Sequence, residues 1–197
     1  VEKKHSTGLV LRYRATTMKF LDLDSSSSLR AESTNAAVLR TLADMLPDGV
    51  SLDLHDYREV PLYDPDATEL APGVVRLRDA ITAADAVVIA TPEYNYSVPG
   101  VLKNAIDHAS RPAYQSPFRN KPVGVLSASP GLQGGARAQQ HLKTILLGMG
   151  APVFAWPEVA VSRAGHAITD GRVTDPAVMK LLQGYADGLV AWVSKVR

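Results

Sequence analysis

Residues 86–100 read Ala86-Val87-Val88-Ile89-Ala90-Thr91-Pro92-Glu93-Tyr94-Asn95-Tyr96-Ser97-Val98-Pro99-Gly100. The first five form an unbroken apolar run of strand length with β-branched residues at its centre, the pattern of a strand buried on both faces. Two prolines and a glycine then punctuate the chain, so the strand ends in a shaped turn. Beyond it, Val101, Leu102, Ala105, Ile106 and Ala109 recur at helical spacing over 100–110. A doubly buried strand followed at once by an amphipathic helix is half of a parallel sheet unit, because parallel neighbours need a crossover between them.

The same rhythm extends in both directions. Upstream, 19–24 is a strand candidate interrupted by Asp22 and Asp24. Val38, Leu39, Leu42, Met45 and Leu46 stripe a helix over 35–46 that Pro47 and Gly49 end, Val50, Leu52 and Leu54 alternate as a strand, and Val74, Leu77 and Ile81 mark a helix. Downstream come a strand over 122–128, a helix over 136–149, a strand near 152–156 and a closing helix carrying Val178 through Val196. Five strands alternating with five helices predict an α/β protein: a flavodoxin-like three-layer α/β/α sandwich on a five-stranded parallel sheet, order 2-1-3-4-5. A six-stranded dinucleotide-binding order is the alternative.

Composition narrows the function. The 197 residues suit one domain, and 21 Lys+Arg against 20 Asp+Glu leave a net charge of +1, which argues against a nucleic-acid binder. Cysteine is absent, which removes disulfide frameworks, thiolate metal sites and cysteine nucleophiles. No apolar run reaches the roughly 18 residues that cross a bilayer, so no membrane association and a cytoplasmic location are expected. Met18 stands directly before a strand-like run, so 1–17 reads as an extension and 18–197 as the domain.

In an open parallel sheet a ligand sits beyond the carboxyl ends of the strands where the order reverses, and three loops qualify. The first carries Ser28, Arg30, Ser33, Thr34 and Asn35 into a helix, hydroxyl and cationic groups suited to a phosphate at a helix N-terminus; a solvated loop with Ser33 or Thr34 as a simple helix cap is the plainer reading. The second is the Pro92–Gly100 turn, whose amides suit the polar edge of a planar ring and whose tyrosines equally suit packing. The third, Ser127-Ala128-Ser129-Pro130-Gly131-Leu132-Gln133-Gly134-Gly135, has glycines that would let backbone approach a ligand, or serve a connector. Arg137 after it would meet a nucleotide phosphate or, on the plainer reading, form a surface salt bridge. The five histidines are scattered and read as structural or surface groups, with His108 at most facing the site's mouth.

Together, Ser28-Leu29-Arg30-x-x-Ser33-x-Asn35, Pro92-Glu93-Tyr94-Asn95-Tyr96-Ser97-x-Pro99-Gly100-x-Leu102-Lys103-Asn104-Ala105-Ile106-Asp107 and Gly131-x-x-Gly134-Gly135-Ala136-Arg137 resemble the NADPH-dependent FMN reductase family, with its chromate, quinone and azo reductases. The resemblance spans about 18–195. It implies FMN as cofactor, NADPH or NADH as reductant, a small-molecule electron acceptor, and a dimer or tetramer. Tyr94, Tyr96, Trp156 and the exposed edge of helix 100–110 could form the interface between copies, and core packing accounts for Trp156 equally well. It places Ser28, Leu29, Arg30, Ser33, Thr34 and Asn35 around the FMN phosphate and Pro92, Glu93, Tyr94 and Asn95 along the isoalloxazine ring. Ser127, Ala128 and Ser129 would close over the ribityl chain or ring edge through main-chain groups. Ser27 stands where the family usually has glycine, and Asp22, Asp24 and Glu32 add negative charge, which implies a rebuilt loop or weaker flavin binding. The flavin supplies the redox chemistry, so no catalytic side chain is expected. A flavodoxin-type electron carrier and a flavin-free relative are the competing functions.

Overall fold

A computed structural model describes residues 18–24 and 33–197, with side chains for 18–21 and from 33 onward; the extension 1–17 and the expected phosphate ligands Ser28, Leu29 and Arg30 lie outside these residues. The elements run β1 (Met18–Asp24), α1 (Thr34–Asp44), β2 (Val50–His55), α2 (Pro72–Ala83), β3 (Ala86–Thr91), α3 (Gly100–Ala109), β4 (Val123–Ala128), α4 (Ala136–Gly148), β5 (Ala160–Val161), α5 (Ala164–Ala167), β6 (Ile168–Thr169), β7 (Arg172–Val173) and α6 (Pro176–Val196). The main sheet has five parallel strands in the order β2-β1-β3-β4-β5, as expected. Asp22 and Asp24 do not interrupt β1, whose backbone stays in register with Val88 and Ala90 of β3.

Every residue of β3 and β4 is buried. Their alternation explains how apolar runs feed two cores. Val88, Ala90, Leu126 and Ala128 join Phe20 beneath α1 and α6, while Val87, Ile89, Val123 and Val125 join Leu21 beneath α2, α3 and α4. The helices start where chemistry allows: the Ser33 hydroxyl accepts from Ala36 N at 3.2 Å, and the Asp175 carboxylate accepts from Ala177 N and Val178 N, both at 2.9 Å, ahead of Pro176.

Two expectations need correction. The strand predicted near 152–156 is a single bridge, Val153 opposite Val123, and the chain rejoins β4 as a ladder only at Ala160–Val161. Pro157 has no N–H to donate, and Trp156 turns its ring onto Phe154 (centroids 5.2 Å apart, 18° between planes) and against α6 at Gly188. Trp156 thus packs partly within this subunit and stays 40% exposed. The second correction is the hairpin β6–β7, absent from the predicted series. Its Asp170-Gly171 corner has φ of 48° and 69°, the conformation that an Asp-Gly pair favours. The hairpin docks on α1, with Val173 N donating to Thr41 Oγ1 at 2.9 Å and Arg172 pairing with Asp44 at 2.7 Å.

Candidate functional site

The carboxyl ends of β1, β3 and β4 are adjacent in the sheet, so the start of α1 and the second and third loops picked out by sequence share one rim. Asn35 ties the first to the third. Its Nδ2 donates to Ala128 O at 3.1 Å and its Oδ1 accepts from Ala128 N at 2.8 Å, across 93 residues of sequence, and the side chain is buried. Ser33 is the α1 cap and Thr34 the half-buried residue after it.

The second loop is a tight hairpin turn. Tyr94 and Ser97 exchange main-chain bonds of 2.9 and 3.0 Å, and the central residues Asn95 and Tyr96 take φ of 48° and 67°, as a type I′ turn requires. The N–H groups of Glu93, Asn95 and Tyr96 have no acceptor among the described residues. Tyr94 and Tyr96 are exposed, whereas Pro92 and Glu93 are half-buried.

The third loop is spent mostly on the protein. Ser127 N donates to Val159 O and Ser129 N to Val161 O, while Ala128 N is held by Asn35. The Ser127 hydroxyl donates to Gly134 O at 2.6 Å and accepts from Gln139 Nε2 at 2.8 Å. Gly134 and Gly135 serve the close approach of the chain to itself, whereas a Cβ on Gly131 would meet nothing nearer than Ser129 Oγ at 3.6 Å. A Cβ on Gly134 would sit 2.7 Å from the Ala160 carbonyl, and one on Gly135 2.7 Å from Ser127 Cβ. Pro130 to Gln133 remain exposed at the rim.

The second and third loops are joined by α4. Arg137 Nη1 contacts Glu93 Oε1 at 2.9 Å and Arg137 N donates to Glu93 Oε2 at 3.1 Å, so Arg137 forms a salt bridge, to a carboxylate that is itself mostly covered. Its guanidinium carbon also lies 4.4 Å from the Tyr96 ring centroid, and His141 Nδ1 lies 2.9 Å from the Ser97 hydroxyl. His108 is elsewhere. In the last turn of α3 its Nε2 meets Pro61 O at 3.0 Å, beside Tyr63 and Arg111 in a cavity of about 600 Å³. Sequence reasoning missed His141 and the Glu93–Arg137 pair as site-forming groups; the helical offset of four between 137 and 141 was their only signal.

His55 closes β2 with Nε2 buried and, among the described residues, without a hydrogen-bond partner. Burial holds its pKa below the ordinary histidine value, Asp56 opposes this, and Arg76 reinforces it. The folded state thus refuses a proton that the unfolded chain accepts, so stability is full above pH ~6.5 and falls as pH drops from there towards the lowered value. Urea midpoints for the parent and His55→Gln at pH 7.5 and 5.5, as about one unit either side of that value, should show a smaller acid loss in the variant. Equal losses would remove His55 from the pH response.

Residues 18–166 match the family model for NADPH-dependent FMN reductase. Over 178 residues the chain is 45% identical to an NAD(P)H-dependent FMN reductase of Pseudomonas aeruginosa, covering 89% of this chain and 96% of that one. It is 39% identical over 168 residues to a quinone reductase of Pseudomonas putida, covering 84% and 90%. Among solved structures it is similar to FerB, a flavoenzyme NAD(P)H:(acceptor) oxidoreductase of Paracoccus denitrificans, with a TM-score of 0.83 at 36% identity over 91% of this chain and 98% of that one.

Proposed function

Because this chain belongs to the NADPH-dependent FMN reductase family, we propose that it passes electrons from NAD(P)H to a quinone. It is an oxidoreductase that uses FMN with a nicotinamide reductant. The observation that carries the reading is the turn at 93–97. Three main-chain N–H groups with no acceptor among the described residues stand in consecutive or near-consecutive residues, beside a carboxylate paired with Arg137. That donor set fits the isoalloxazine edge, which presents carbonyl and ring-nitrogen acceptors.

In this reading Pro92, Glu93, Tyr94 and Asn95 hold the ring, and Ser33 and Thr34 at the start of α1 support the phosphate together with Ser28, Leu29 and Arg30. Asn35 acts one step back, fixing α1 against the end of β4. Ser127 to Ser129 set the floor. When bound, FMN supplies hydride acceptance and electron release; the chain binds it, orients it and leaves one face open. Exposed Tyr94 and Tyr96 support self-association as a dimer or tetramer, which light scattering would reveal and a monomer would refute. A cytoplasmic location, where NAD(P)H is supplied, belongs to the same reading. Among the described residues no helix is long and apolar enough to cross a membrane.

The test is direct. Protein loaded with FMN and mixed with NADPH should bleach the nicotinamide absorbance band when a benzoquinone is added. Consumption with chromate, an azo dye or free flavin in place of quinone would redirect the acceptor. No consumption with any of them rejects the reductase reading in favour of an electron carrier or a flavin-free protein.

A further inference from the structure

We infer that Arg137 is a positioning residue for the 94–97 turn and the charge partner of Glu93, so that one side chain on α4 fixes both the shape and the net charge of the surface offered to the flavin. The inference rests on the functional reading above and adds a residue to it.

The turn needs outside support. Non-glycine residues in the left-handed region cost about 1–2 kcal/mol each and persist where the surroundings over-determine them, and here two stand in sequence, Asn95 and Tyr96. Asparagine tolerates the conformation through its short polar side chain, but tyrosine has no such compensation. Within the turn only the Tyr94–Ser97 pair closes the backbone. The rest of the support comes from α4, through the Arg137 guanidinium over the Tyr96 ring and His141 against the Ser97 hydroxyl.

Glu93 needs the same residue for another reason. Its side chain is only 12% exposed, against 46% for Arg137, so water screens the carboxylate poorly. Among the described residues both of its hydrogen-bond donors come from Arg137, one from the main chain and one from the side chain. A guanidinium does two things at once here. It meets the carboxylate while its central carbon lies 4.4 Å from the tyrosine ring centroid, whereas a lysine ammonium supplies the charge without a planar group to cover the ring. Without the cation, Glu93 would face the flavin site as a poorly hydrated anion and would oppose the gain of negative charge on cofactor reduction.

Three variants separate the two roles: Arg137→Ala, Arg137→Lys and Glu93→Gln. Each is titrated with FMN by fluorescence quenching, and the midpoint potential of the bound flavin is read by spectroelectrochemistry. Arg137→Ala should weaken FMN binding about tenfold, equivalent to about 1.4 kcal/mol, and move the potential negative. Arg137→Lys should restore the potential but not the affinity, because it returns the charge and not the planar group. Glu93→Gln should move the potential positive. A potential unmoved in both Arg137→Ala and Glu93→Gln overturns the charge role, and equal affinity in Arg137→Lys and the parent overturns the positioning role. If the parent itself binds no FMN, the functional reading and this inference fall together; if it binds and the variants match it, only this inference falls.

Discussion

Replacing Asn35 with alanine is expected to lower stability by about 3 kcal/mol, a fall of roughly 10 °C in Tm for a chain of this size. The side chain is buried, and its amide is the hydrogen-bond partner of both Ala128 N and Ala128 O. Deleting it removes a donor and an acceptor together, leaving two main-chain groups at the end of a doubly buried strand without partners. Such groups cost about 1–3 kcal/mol each when no water replaces the lost bond. Asn35→Asp should not rescue the protein, because a carboxylate accepts from Ala128 N but offers nothing to Ala128 O. FMN affinity should fall as well, since α1 would no longer be pinned to β4. Calorimetry of the apo-protein decides the matter, and an alanine variant melting within about 2 °C of the parent would show that the clamp contributes little.

Gly135→Ala is the second large effect. The residue has φ of 93°, where an L side chain is strained, and the added Cβ would lie 2.7 Å from Ser127 Cβ and 2.9 Å from its hydroxyl. Strain of about 1–2 kcal/mol and overpacking of about 1–3 kcal/mol act together, so a loss of about 3 kcal/mol is expected. Relief would require Ser127 to move, breaking its bonds to Gly134 O and Gln139. Gly131→Ala is the control. Its Cβ would meet nothing nearer than Ser129 Oγ at 3.6 Å, so its urea midpoint should match the parent's. Equal midpoints for the Gly131 and Gly135 variants would refute the packing argument.

The parts of the fold that could be read from sequence are those governed by short-range periodicity. Val87 to Ala90 and Val123 to Leu126 are continuous runs without a polar residue because both faces of their strands are covered, and amphipathic helices must follow them. The fifth strand misled because Val153, Phe154, Ala155 and Trp156 have strand-like composition, while the geometry is decided by Pro157 and by a notch at Gly188 that lies on another element. The hairpin at 168–173 was legible in Asp170-Gly171 and was overlooked among longer periodic segments. At the site, the loops could be located because each follows a strand. The work of their residues could not, because it depends on partners far along the chain. Asn35 looks like a helix-start asparagine, yet its partner is 93 residues away, and Arg137 meets Glu93 across 44.

The interrupted fifth strand bears on how the molecule behaves when crowded. A sheet edge with a long row of unpaired main-chain groups templates the addition of another chain and so seeds fibrils. On this side the row is cut at Pro157, and only Ala160 and Val161 form a continuous ladder with β4. The opposite edge is β2, six residues long without a proline, so intermolecular aggregation on partial unfolding is expected to start there, and a proline placed within 50–55 should suppress it more than any change along 152–161.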